Sequence, residues 1–153
     1  MRAQTVKWTE WTTFAMGEAG FDLTGALERC RAAEKAQALF YRALAAEAEA
    51  RGDGVLSERL NELHADEQHH LSRLTARLLE LGAAPADLSH LRTDRVALDE
   101  WEDAARARER EEVRRYEELA AAALDGHTAG VVREILETER HHAEELGGKW
   151  TTA

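Results

Sequence analysis

Apolar residues recur at three- and four-residue spacing in four blocks, and each block is ended by a glycine-bearing break. The first stripe is Leu23, Leu27, Cys30, Leu44 and Ala48, with Glu34 and Tyr41 set into it. The second is Leu56, Leu60, Leu63, Leu74, Leu78 and Leu81, with Glu67 and His70 in register. The third runs Leu98, Trp101, Ala105, Leu119 and Ala123 and includes Glu109, Glu112 and Tyr116. The fourth carries Val132, Ile135 and Leu146 around Glu139 and His142. The spacing predicts four helices: from a cap at Asp22 or Thr24 to Arg51, Val55 to Leu81, Arg95 to Leu124, and from a cap at Thr128 to Gly147-Gly148.

The breaks order these helices into two hairpins. Gly52-Asp53-Gly54 and Asp125-Gly126 are short enough for tight turns. Between them, Gly82 to His90 holds Pro85, the sole proline, and is the least helical part of the interior. It predicts a long crossover joining the hairpins. Residues 1–22 form an N-terminal extension, with Trp8, Trp11 and Phe14 at helical spacing before Gly17 and Gly20; residues 23–150 form the bundle.

Charged residues inside apolar stripes need a reason. A solvated face would not be flanked by leucines in register, and buried carboxylates are costly unless paired or bound to a cation. The second helix of each hairpin carries Glu-x-x-His, Glu67 with His70 and Glu139 with His142, and each His closes a His-His doublet. The first helix of each carries Glu followed seven residues later by Tyr, Glu34 with Tyr41 and Glu109 with Tyr116, and the chain has only two tyrosines. Glu34 and Glu109 are 75 residues apart, Glu67 and Glu139 72, so the halves are related by a pseudo-twofold axis.

The order Glu, Glu-x-x-His, Glu, Glu-x-x-His is the ligand set of a dinuclear site in a four-helix bundle. Glu and His three apart share a helix face and reach one metal. Four carboxylates balance two divalent cations with both imidazoles neutral. Glu112, one turn after Glu109, is a candidate seventh ligand, although its first-half counterpart is Gln37. Hard oxygen donors with imidazole suit iron or manganese. Tyr41 and Tyr116 are expected to donate to carboxylates across the site. His69 and His141 are expected to face solvent or an interface, His64 is set aside, and Cys30 is expected to be a small core residue.

Composition narrows the class. A chain of 153 residues makes one domain with a core of its own. It is rich in helix formers, which predicts an all-α fold. A net charge of −10 argues against nucleic acid and anionic membrane surfaces as partners. No apolar run is long enough to span a bilayer, and Met1 to Trp11 lacks a secretory core. One cysteine allows no internal disulfide and no four-cysteine iron site, so a cytoplasmic location is expected.

With Glu34, Tyr41, Glu67, His70, Glu109, Glu112, Tyr116, Glu139 and His142 in this order, residues 24 to 147 resemble the ferritin-like superfamily, and within it the rubrerythrin-like proteins. The resemblance implies a four-helix bundle with a di-iron centre. It implies reduction of hydrogen peroxide, or oxidation of ferrous iron by peroxide or dioxygen. The Glu109-x-x-Glu112 pair is similar to the extra carboxylate of rubrerythrins. Their rubredoxin domain, with paired Cys-x-x-Cys motifs, has no counterpart here, so an external electron donor such as a rubredoxin-type protein is expected. Bacterioferritin subunits share the six-ligand order, but 11 residues follow His142, too few for their cage-forming helix, and Gln68 stands where they place a haem-ligating methionine. Manganese catalases share the ligand logic and are usually longer. The expectation is a peroxide-reducing homodimer, the Trp8–Trp11 segment lying across the partner, with iron storage and manganese catalase as competing readings.

Overall fold

The computed structural model describes residues 20–146. Four helices fill most of it: α1 (Leu23–Ala50), α2 (Gly54–Glu80), α3 (Trp101–Ala120) and α4 (Gly126–Leu146), and among the described residues there is no strand. The predicted Trp8 and Trp11 contacts lie outside the described residues.

The ends of α1 and α2 follow from local chemistry. Asp22, rather than Thr24, caps α1 by accepting from Gly25 N at 2.9 Å, and Asp53 caps α2 by accepting from Leu56 N at 3.0 Å. Gly52 and Gly82 take positive φ, 78° and 77°, immediately after α1 and α2. That conformation lets Asp53 N reach Ala48 O, and Ala83 N reach Leu78 O, closing the last turns. A side chain at either glycine would strain the backbone.

Three boundaries differ from the expectation. The third helix starts at a 3-10 turn, Leu98–Glu100, because the crossover stays extended through Ala97, at ψ 144°, before it buries Leu98 and Trp101. It ends at Ala120, so Ala123 is exposed. A run of alanines favours helix, but it has no core to cover there, and the chain must turn into α4. Asp125, not Thr128, caps α4: its carboxylate accepts from Thr128 N at 2.9 Å and from the Thr128 hydroxyl at 2.6 Å. Thr128 is buried instead, and Arg77 of α2 donates to its hydroxyl at 2.9 Å and to Asp125 at 3.0 Å. Leu81, expected inside, is exposed because α2 stops at Glu80.

Packing reveals the helix directions. One apolar cluster joins Leu27 and Cys30 from the start of α1 to Leu74 and Leu78 late in α2, Leu119 late in α3, and Val132 and Ile135 early in α4. A second joins Phe40 and Leu44, Leu60 and Leu63, Trp101 and Ala105, and Leu146. These sit at the opposite ends of the same helices. Helices α1 and α4 therefore run one way, α2 and α3 the other, and the crossover carries the chain from one end of the bundle to the other. Arg31 and Glu28 tie it to α1 through Ala86 O and Ala86 N, each at 2.8 Å. Each fully buried leucine contributes roughly 1.5–3 kcal/mol. Between the two clusters lies a polar layer at mid-helix.

Candidate metal centre

The polar layer holds Glu34 from α1, Glu67 and His70 from α2, Glu109 from α3, and Glu139 and His142 from α4. The four carboxylates are 0% exposed. The six side chains form two groups. Glu34, Glu67, His70 and Glu139 are one, and Glu67, Glu109, Glu139 and His142 the other; in each, the ligand atoms lie within 4.8 Å of one another. Glu67 and Glu139 belong to both. They divide their oxygens between the groups. His70 Nδ1 faces Glu34 Oε2, Glu67 Oε2 and Glu139 Oε1 at 3.4, 3.4 and 2.8 Å. His142 Nδ1 faces Glu67 Oε1, Glu109 Oε2 and Glu139 Oε2 at 3.5, 3.6 and 3.5 Å. The imidazole centroids are 6.4 Å apart.

These eight atoms share a further property: each is buried and makes no hydrogen bond. Buried polar atoms without partners are rare, and eight converging on two points call for cations. The donor set, mixed carboxylate and imidazole with two carboxylates shared between the groups, fits a dinuclear metal site.

The outward-facing atoms are, by contrast, held. The Tyr41 hydroxyl, from α1, donates to Glu109 Oε1 on α3, and the Tyr116 hydroxyl, from α3, donates to Glu34 Oε1 on α1. The exchange ties the first helix of each hairpin to the first helix of the other. Burial and these carboxylates push both phenols well above their ordinary pKa, so they stay donors. Gln37 Nε2 adds a second donor to Glu109 Oε1 at 2.9 Å. His142 Nε2 lies 3.0 Å from Asp66 Oδ2. Asp66 was not singled out from the sequence; its one signal is an acid directly before Glu67, where the second half has Thr138.

Without a cation, protons balance the charge. Burial opposes a charged His70, but Glu139, Glu34 and Glu67 outweigh it and raise its pKa to about 12. His142 is raised likewise, burial being overcome by Asp66, Glu109, Glu139 and Glu67. Burial raises Glu67 well above its usual range, with Glu139 adding to it, and burial and Glu34 raise Glu139 to about 7. Glu109 goes the other way: His142, Glu139 and Tyr41 overcome its burial and leave its pKa lowered.

The remaining candidates sit around this layer. Glu112 is buried but outside both groups, its Oε1 at 2.5 Å from Arg115. Burial, with Glu34 and Glu139, raises it to about 8 against the pull of Arg115. Arg115 is itself buried, which nothing in the helical spacing announced. Cys30 is a core residue whose thiol burial raises to about 12. His69 and His141 are exposed, and His64 Nδ1 turns to Ala38 O at 2.9 Å.

Residues 25–148 match the family described as Rubrerythrin. The chain belongs to the rubrerythrin family. The fold agrees with that assignment at superfamily level: the crystal structure of M. penetrans ferritin superposes with a TM-score of 0.72 at 19% identity, covering 84% of this chain and 82% of that one. No curated protein matches the chain. Among the described residues of this rubrerythrin-family chain, no helix is long and apolar enough to cross a membrane.

Proposed function

We propose that this rubrerythrin-family chain is an oxidoreductase that holds two iron ions and reduces hydrogen peroxide. The observation that carries the reading is the set of eight partnerless ligand atoms, four for each of two positions, between two apolar clusters. Glu34 and His70 would hold one ion, Glu109 and His142 the other, and Glu67 and Glu139, which belong to both groups, would serve both. When bound, the iron pair supplies the two electrons that cleave the O–O bond; with two protons the products are two waters. The chain contributes the rest. Tyr41 and Tyr116 turn one oxygen of Glu109 and of Glu34 away from the centre, leaving the other to face it. The leucines above and below exclude water, so charge is felt strongly inside. The protons on the metal-free His70 and His142 leave as cations enter.

The family match supports an oxidoreductase reading, and the ferritin likeness, at 19% identity, bears on fold alone. Manganese fits the same donors. We further propose a cytoplasmic homodimer that receives electrons from a rubredoxin-type donor, without nucleic-acid or membrane partners. Stopped-flow oxidation of the diferrous chain tests the reaction: peroxide should react faster than dioxygen, and equal or slower reaction would overturn it. Elemental analysis should find about two irons per chain, consistent with one ion for each ligand group. On size exclusion a dimer is expected, whereas a cage would support storage through ferrous iron oxidation.

A further inference from the structure

The two halves differ at the residue one turn from each terminal glutamate. Glu109 Oε1 accepts twice, from the Tyr41 hydroxyl and from Gln37 Nε2 at 2.9 Å. Gln37 is buried and is itself held: Arg108 Nε donates to its Oε1 at 2.7 Å. An arginine has no acceptor and an ionised carboxylate no donor, so only one orientation of the Gln37 amide satisfies both neighbours. Arg108 is fixed in turn, donating to Thr93 Oγ1 at 3.2 Å and stacking its guanidinium 4.5 Å from the centroid of Phe40. A directed chain of donors thus runs from Arg108 through Gln37 to Glu109.

The other half cannot build it. At the offset of 75 residues, Gln37 corresponds to Glu112 and Arg108 to Ala33. Glu34 Oε1 accepts from Tyr116. Glu112 is a carboxylate turned to Arg115, and alanine offers no donor.

We propose that Gln37 and Arg108 are positioning residues that hold Glu109 as a one-oxygen ligand, so that the Glu109–His142 metal position keeps a fixed donor set and the Glu34–His70 position does not. This rests on the metal reading above. With Oε1 doubly occupied, Glu109 presents Oε2 alone, and that atom is among the buried ones lacking a partner. Glu34 has one restraint fewer, since its Oε1 accepts from Tyr116 and no glutamine stands in the place of Gln37. The two positions should therefore fill as separate steps.

Cobalt(II) titration of the full-length, chelator-stripped chain, read by visible absorption and calorimetry, tests this without any turnover assay. The unaltered chain should take two ions in two resolved steps. Gln37→Leu keeps the volume and removes the donor; it should weaken one step about tenfold, in the range expected for groups that orient ligands, and leave the other step unchanged. Arg108→Lys, which keeps the charge but loses the Nε donor to Gln37, should weaken the same step, and it carries the test if Gln37→Leu fails to fold. Glu112→Gln should act on the other step. Equal effects on both steps, or none, would overturn the positioning role while leaving the metal reading intact. Binding of no cobalt by the unaltered, folded chain would overturn both.

Discussion

Asp66 Oδ2 lies 3.0 Å from Nε2 of His142, so the imidazole is held at its rear while Nδ1 faces the carboxylates. In the neutral ring that a bound metal requires, this contact would place the proton on Nε2 and leave the lone pair at Nδ1. The pull is mutual: the hydrogen bond to His142 keeps the Asp66 carboxyl below its ordinary pKa. Asp66→Ala should lower the affinity of one metal position by about tenfold. Its side chain is 52% exposed, so the fold should survive, and calorimetric titration with unchanged circular dichroism is the check.

The two tyrosines should not be equivalent. In Tyr41→Phe, Glu109 Oε1 keeps Gln37 as a donor. In Tyr116→Phe, Glu34 Oε1 loses the donor it has from α3. A buried acceptor left unsatisfied costs roughly 1–3 kcal/mol. Urea unfolding of the metal-free chains should therefore rank Tyr116→Phe as the less stable variant. The opposite order would contradict the asymmetry.

Shared and terminal ligands should part on stoichiometry. Glu67 belongs to both groups and Glu34 to one. Glu67→Ala should abolish tight binding at both positions. Glu34→Ala should leave about one metal per chain, because Glu67, Glu109, Glu139 and His142 all remain for the second position. Elemental analysis after loading and desalting reads the difference.

Metal should offset the pH response of the metal-free chain. The folded-state pKa of His70, about 12, lies above its ordinary 6.5. The stability it contributes is full below the ordinary value and is lost as pH rises towards the folded one. Glu139, raised from 4.5 to about 7, and Glu112, raised from 4.5 to about 8, act in the same sense: their burial is tolerated while protonated and opposes folding once they ionise. The metal-free Tm should fall between about pH 5.5 and about pH 8.5. Cations compete with those protons, so the gain in Tm from added metal should grow over the same interval. Scanning calorimetry with and without chelator decides it.

Much of the bundle was legible because its signals are periodic. Leu60, Leu63, Leu74 and Leu78 mark a face, and Glu67 and His70 sit on it, so burial could be read from spacing. The six residues of the two groups, and the tyrosines that hold Glu34 and Glu109, were visible for the same reason. What escaped was tertiary. Gln37 falls on the inward stripe, but spacing does not show that it reaches Glu109 across the bundle, and Arg77, Arg108 and Arg115 are long cations drawn in by partners on another helix, in a turn or nearby on their own. Asp66 is half exposed and acts through one contact. The late start of α3 depends on Leu98 and Trp101 finding the core, which propensity does not encode.

The layered arrangement has a mechanical consequence. Two oily ends are separated by a belt of acids, so without cations the waist should be the least stable part. Loaded, the belt becomes a rivet through all four helices, and the ends can no longer loosen independently. Amide exchange near Glu34, Glu67, Glu109 and Glu139 should then slow far more on loading than exchange beside Leu27 or Leu63, and a chain starved of its ions would open from the middle outward.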